Sequence, residues 1–165
     1  MEKNPCHVSI VMGSESDLGI IQETQAVLTR FGIPHEMRVI SAHRTPHKAA
    51  EYATGLEKRG VKLVIAAAGK AAHLAGVIAG LTPLPVIGVP ITTSDLGGLD
   101  SLLSMVQMPG GIPVATVTIG KTGAKNAALL AVQILSLMDK DLRKKLVDFR
   151  EEMTREVEQA DIRIG

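Results

Sequence analysis

Five short apolar runs, separated by longer stretches of helical spacing, constrain the fold of this chain more than any other feature. They are HVSIVM (7–12), HEMRVI (35–40), KLVIAAA (62–68), LPVIGVP (84–90) and IPVATVTI (112–119). Near-continuous Val, Ile and Ala, without strict alternation, is the pattern of strands buried on both faces, as in a parallel sheet with helices above and below. Strand, loop and helix in that order predict an open α/β sandwich. Leu18–Phe31 is apolar at Leu18, Ile21, Ala26, Leu28 and Phe31 and closes on Gly32 and Pro34, a helix stop. Pro46–Lys58, opened by a proline, Ala71–Leu81 and Gly123–Met138 supply the other expected helices.

At 165 residues the chain suits one domain with one core, since domain sizes peak at about 100–150 residues. A single domain over 1–165 is expected, its core at about 7–139 and a helical tail at about 140–160. The tail carries one narrow stripe, Leu142, Leu146, Phe149, Met153 and Val157, suited to packing on its own domain or on a neighbouring subunit. No repeat, linker or low-complexity segment interrupts the order.

Composition removes several function classes. Aromatic residues are 2% of the chain against 45% hydrophobic, so base-by-base stacking on single-stranded nucleic acid has few platforms. Eighteen Lys plus Arg against seventeen Asp plus Glu give a formal charge of +1, too little to hold a polyanion. Cys6, the only cysteine, reads as a small buried residue at a strand start, and no metal-ligand spacing surrounds it. No basic-then-apolar leader opens the chain and no apolar run reaches ~18 residues, so a soluble, cytoplasmic protein with neither membrane nor nucleic-acid partner is expected.

In open parallel sheets ligands bind beyond the carboxyl ends of the strands. Four segments follow. In MGSESDLG, Met12 to Gly19, Gly13 allows close backbone approach, Ser14 and Ser16 offer hydroxyls, and Asp17 can cap a helix or accept from a ligand. Free N–H groups at such a helix start suit a phosphate, though the loop is neither a Walker nor a GxGxxG motif. In SAHRTP, Arg44 suits bidentate phosphate or carboxylate recognition, Ser41 can donate to the same group, and His43 is a proton-transfer candidate. The plainer alternative has Ser41 and Thr45 capping the helix and His43 on the surface; His35 and His47 take only that plain reading. In AAAGKAAHLAG, Ala66 to Gly76, small residues let backbone approach a planar ligand, with Lys70 the one cation and His73 the one titratable ring. The fourth segment, Ser101 to Ala131, holds the MPGGIP double turn and the start of a helix at GKTGAKNAALL, and names no reaction.

Taken together and in order, MGSESD, SAHRTP, AAGKAAHLAG, PVIGVP and GLDSLLSMVQMPGGIPVATVTIGKTGAKNAALLA closely resemble the bacterial N5-carboxyaminoimidazole ribonucleotide mutases, the catalytic-subunit type of phosphoribosylaminoimidazole carboxylase. The resemblance covers roughly Val8 to Asp141, and SAHRTP and QMPGGIPV are its most specific pieces. It implies a catalytic domain with a flavodoxin-like three-layer α/β/α fold, assembled as a homo-octamer with sites at subunit junctions. It also implies a small ribonucleotide substrate and no cofactor: no metal, biotin or ATP. Ser14, Asp17 and Arg44 match the family's nucleotide-binding positions, joined by Ser41 and by Gly13 and Ser16 of the same loops. His43 matches the essential acid–base histidine, with His73 beside it in the catalytic set. Ala68, Gly69, Lys70, Ala72 and Leu74 match the wall around the migrating carboxylate.

That chemistry moves a carboxylate from exocyclic N5 to ring carbon C4. Imidazole ionises near ~6.5, so one ring can give a proton and take one back. A Gly- and Ala-lined wall suits a carbon dioxide intermediate with few groups to hold, leaving exclusion and positioning to contribute much of the rate. Mutases of this kind read Gly-Gly and Leu-Pro-Gly where this chain has Gly69-Lys70 and Leu74-Ala75-Gly76. Animal-type relatives, which carboxylate aminoimidazole ribonucleotide directly, carry an arginine near the Lys70 position but lack His73 and the QMPGG wording. His73 and Gln107-Met108-Pro109 therefore favour the mutase, with direct carboxylation as the alternative. A non-catalytic flavodoxin-like binding module fits less well: two Phe and one Tyr can scarcely shield a flavin, and Gly13, Ser14 and Ala66–Lys70 stand where a receiver module needs acidic residues.

Overall fold

The structure, a computed structural model, describes residues 7–164; Cys6 lies outside the described residues. Five parallel strands form one sheet: β1 (Val8–Met12), β2 (His35–Val39), β3 (Leu63–Ala68), β4 (Val86–Pro90) and β5 (Ala115–Thr116), in the order β2-β1-β3-β4-β5. The helices are α1 (Leu18–Phe31), α2 (Pro46–Thr54), α3 (Leu74–Ala79), α4 (Leu99–Val106), α5 (Gly120–Ser136) and α6 (Lys140–Ile164). One row, Met37, Ile10, Ile65, Ile87 and Ala115, crosses the whole sheet in register. The order reverses between β1 and β3, the point where a doubly wound sheet opens a crevice.

Period-two alternation sends side chains into two cores. Ile10, Met12, Ile65, Ala67 and Ile87 face α1, α5 and the start of α6, meeting Ile21, Leu28, Ala128 and Leu142. Val11, Val64, Ala66 and Val86 face the other way and meet Tyr52, Leu56, Ile78 and Met105 from α2 to α4. Ser9 is the polar member of this second face, its hydroxyl 2.6 Å from the Tyr52 hydroxyl and 2.5 Å from the Glu36 carboxylate. Full burial on both faces holds for β1, β3 and β4 only. β2 is an edge strand, open at Arg38 and Val39, and β5 pairs over two residues.

The expected fifth strand, 112–119, is thus cut to Ala115–Thr116: it has one neighbour, and Pro113 brings no N–H to a ladder. α4 is an addition. The sequence reading gives Leu99–Val106 no element, because Asp100, Ser101 and Ser104 oppose Leu99, Leu102, Leu103 and Val106 over only about two turns, too short a run for the period to stand out. α2 stops at Thr54 and is followed by a 3-10 turn at Glu57–Arg59, and α3 covers only Leu74–Ala79 of the expected 71–81. α5 begins three residues early, at Gly120, and ends at Ser136. The tail helix is longer than the expected 140–160, reaching Ile164. α1 ends as expected: Gly32 takes φ 72, a left-handed cap that only glycine enters without steric cost.

Candidate active site

The five parallel strands end at the same edge, and the loops that follow β1, β2, β3 and β4 bring their side chains to one cavity of about 520 Å³. After β1, the chain folds into a 3-10 turn, Glu15–Asp17, closed by a reciprocal cap. The Ser14 hydroxyl accepts from Ser16 N–H at 3.3 Å, and the Asp17 carboxylate accepts from Ser14 N–H at 3.2 Å. The Ser16 hydroxyl donates to that of Ser14 at 2.9 Å. Asp17 is only 5% exposed, and burial pushes its carboxyl above the ordinary carboxylate value, against the Ser14 N–H, the Ser16 hydroxyl and the Arg44 charge, which hold it down. In this loop capping and cavity lining are compatible, since Asp17 does both.

After β2, Ile40 N–H still reaches Met12 at 2.9 Å, so Ser41 begins the loop. The Thr45 hydroxyl donates back to Ser41 C=O at 2.8 Å and makes no cap to α2, against the plain capping alternative. The Ser41 hydroxyl accepts from both the backbone N–H and the Nε–H of Arg44, at 3.2 and 3.3 Å. Arg44 Nη2 then donates to Gly13 C=O at 3.1 Å, so the guanidinium ties the first loop to the second while lining the cavity. A fixed planar fork of N–H groups is what bidentate capture of a phosphate requires.

β3 ends at Ala68 and is followed by Gly69, Lys70 and Ala71, then His73 at the cap of α3. His43 Nε2 and His73 Nδ1 stand 2.9 Å apart, their rings crossed edge-to-face at 4.9 Å between centroids. One ring donates and the other accepts, so the bond couples the tautomers of two imidazoles contributed by different loops. Lys70 pairs with Asp95, and the ion pair and its hydrogen bond raise the lysine's pKa while lowering that of the aspartate.

Of the residues singled out from sequence, Gly13, Ser14, Ser16, Asp17, Ser41, His43, Arg44, Ala68, Gly69, Lys70, His73 and Leu74 all line this cavity. Ala72 does not. Its side chain is fully buried in the core with Ala68, Leu74 and Ala75. Sequence reasoning missed Ile91, Thr92, Thr93 and Ser94, the loop after β4. The carboxyl-end rule itself pointed there, since ITTSDLGG follows the fourth apolar run directly. The segment chosen instead, Ser101 to Ala131, supports the cavity from behind: the Ser104 hydroxyl reaches Lys70 C=O at 3.5 Å, and a Cβ built on Gly76 would stand 3.0 Å from the Met108 sulfur. Among the described residues no three His, Cys, Asp or Glu side chains converge as a metal site would need, and no helix is long and apolar enough to cross a membrane.

Comparisons with known proteins match most of the chain and its fold. The AIR carboxylase family model matches residues 7–156. An N5-carboxyaminoimidazole ribonucleotide mutase of Pyrococcus horikoshii is 56% identical over 152 residues, 92% of this chain and 85% of the relative. The mutase of the same name from Escherichia coli K12 is 51% identical over 154 residues, 93% and 91% of the two chains. Among solved structures, PurE of Treponema denticola superposes with a TM-score of 0.85 at 32% identity, covering 94% of this chain and 96% of that one.

Proposed function

The chain belongs to the AIR carboxylase family, and we propose that its cavity moves the carboxylate of N5-carboxyaminoimidazole ribonucleotide from N5 to ring carbon C4. The activity is that of a mutase, an isomerase serving purine biosynthesis. Proton transfer by His43 is the core of the reading, and the observation that carries it is the 2.9 Å bond from His43 to His73 inside a cavity that also holds the Arg44 fork.

Arg44, Ser41, Ser14 and the loop of Gly13 and Ser16 hold the ribonucleotide's phosphate and ribose, with Asp17 fixing the loop. The His43 imidazolium gives its proton to N5. The N5–carboxylate bond then breaks, its electron pair stays on nitrogen, and carbon dioxide is released against Ala68, Gly69, Lys70 and Leu74. C4 of the electron-rich ring attacks the trapped carbon and forms the new C–C bond. His43 removes the C4 proton and the ring recovers its aromaticity, so no proton is gained or lost overall. His73 holds the orientation and tautomer of His43 between the two transfers and acts with it as one unit. No cofactor enters this reading, and the cytoplasm is where we place it.

We also place several copies in one homo-octameric assembly. Leu96, Leu99, Leu103 and Val106, on and before α4, are 63%, 53%, 49% and 49% exposed, an apolar stripe beside the cavity rim that a second copy would cover. Mass by light scattering checks it: an octamer is expected, and a monomer at working concentration would overturn it.

The activity test follows absorbance in two reactions without ATP, one given N5-carboxyaminoimidazole ribonucleotide and one given aminoimidazole ribonucleotide with bicarbonate. Efficient conversion in the first, with the second needing very high bicarbonate, is expected. The opposite preference would make the chain a direct carboxylase, and silence in both would remove the catalytic reading.

A further inference from the structure

Lys70 is the one non-glycine residue with positive φ among the described residues, at φ 57. In that conformation its Cβ crowds backbone carbonyl oxygen, a cost glycine would not carry. A strained side chain is kept where the surroundings use it, and such outliers gather at ligand clamps and active sites. Here the surroundings are specific. The preceding glycine is packed tightly against the next loop, since a Cβ on Gly69 would stand 3.3 Å from Thr93 Cγ2 and 3.5 Å from Ile91 Cβ. Ile91 N–H also donates to Ala68 C=O at 3.0 Å. The base of that next loop is tied by Thr93, whose hydroxyl donates to Asp100 at 2.9 Å and accepts from Gly98 N–H at 3.1 Å. Its tip, Asp95, is the part that reaches Lys70.

We propose that the Lys70–Asp95 pair is a clasp that fastens the tip of the loop after β4 to the loop after β3 at the rim of the substrate cavity, making Lys70 a positioning residue. The clasp has two effects. It holds the strip of Ala68 to Ala71 against Ile91 to Ser94, so that two neighbouring loops lining the cavity keep one spacing. It also spends the Lys70 charge on Asp95, so that a mobile cation does not compete with Arg44 for the anionic ends of the substrate. This inference rests on the mutase reading of the same cavity.

Kinetics of four variants test it. Asp95→Asn and Lys70→Met each lower kcat, by about 2–5-fold, the range an exposed ion pair spans. They part in KM: the unpaired ammonium of Asp95→Asn attracts the anionic substrate and lowers KM, an effect erased near 1 M salt where screening acts within ~3 Å, whereas Lys70→Met does not lower it. Lys70→Gly relieves the backbone crowding yet is as slow as Lys70→Met, which separates the clasp from a purely conformational role. The exchanged pair, Lys70→Asp with Asp95→Lys, returns kcat to within about 2-fold of the starting protein. An exchanged pair as slow as the single variants, or single variants at full kcat, would overturn the clasp while leaving the mutase reading intact. A starting protein that turns over neither substrate would overturn both.

Discussion

The two ends of the sheet carry cavities of similar size and opposite character. At the carboxyl end, the cavity of about 520 Å³ is crossed by polar bonds between loops: Arg44 to Gly13, His43 to His73 and Lys70 to Asp95. At the amino end, a cavity of about 600 Å³ has a floor of Phe31, Ile33, Ile134, Leu135 and Leu142, with Lys62, Asp139, Asp141 and Lys145 around it. There Lys145 Nζ donates to Phe31 C=O, the carbonyl end of α1, at 3.4 Å. Strand direction accounts for the difference. In a parallel sheet every βα loop emerges at one end, so the starts of α1 to α4, with their spare N–H groups and partial positive charge, collect there. The other end collects the C-termini of α1 and α5 together with the start of α6, where the Asp139 carboxylate already accepts from Leu142 N–H at 2.9 Å. Volume alone therefore says little about chemistry; the direction of the chain through the sheet decides which cavity can hold an anion.

Variants at the two ends should consequently divide into those that change turnover or substrate binding, at the carboxyl end, and those that change stability, at the amino end, with the buried Asp17 the one exception at the carboxyl end. The largest effect belongs to His43→Asn at the carboxyl end. Loss of general acid–base catalysis lowers kcat by about 100-fold or more, with substrate-analogue affinity held within about 3-fold in calorimetry. Near-normal turnover would sink the proton-shuttle assignment. Leu142→Ala is its counterpart at the amino end. Deleting a side chain that is 7% exposed in the packed floor lowers unfolding free energy by about 2–3 kcal/mol in urea titration, with kcat unchanged for the folded protein. A large loss of kcat there would show that the ends are coupled and break the comparison.

Arg44→Ala should raise KM about 10-fold, the equivalent of ~1.4 kcal/mol, while kcat stays within about 3-fold. An unchanged KM would count against phosphate capture by this fork. The smallest effect sits in the first loop. The carboxyl of Asp17 has its folded-state pKa raised by burial, so the native state holds its proton more tightly than the unfolded chain. Its contribution favours the fold below the unfolded value of 3.8 and is lost as pH rises through the higher folded value; above that window the buried charge is a cost. Asp17→Asn should therefore raise the melting temperature by about 1–2 °C near neutral pH, the gain shrinking as pH falls toward 3.8. A gain that grew on acidification would reverse the sign assigned to this group.

The sequence was most legible where burial imposed one pattern on a whole run. Val8–Met12, Leu63–Ala68 and Val86–Pro90 are buried throughout, and each was visible as a near-continuous apolar run. The edge strands were harder, because half their surface faces outward: the run at 112–119 promised more strand than one neighbour and Pro113 allow. α4 was invisible because it is short: eight residues give Asp100, Ser101 and Ser104 on one side and an open apolar stripe at Leu99, Leu103 and Val106 on the other, too few repeats to establish a period. Within the cavity, SAHRTP and AAGKAAHLAG stood out by composition, whereas Ile91 to Ser94, with two threonines and a serine, drew no reading of its own.

Local sequence by itself determined the order of the strands and of every helix but α4, the parallel sheet, the family and the residue types available for chemistry, since each follows from short-range pattern or wording along the chain. Tertiary structure alone decided which of them meet. His43 and His73 lie thirty residues apart, and only the pairing of β1 with both β2 and β3 lays their loops side by side. Lys70 and Asp95 meet because β3 pairs with β4. Ala72, one residue from His73, goes into the core instead. Contacts between distant residues depend on register and packing across the whole sheet, and no window of local sequence contains that information.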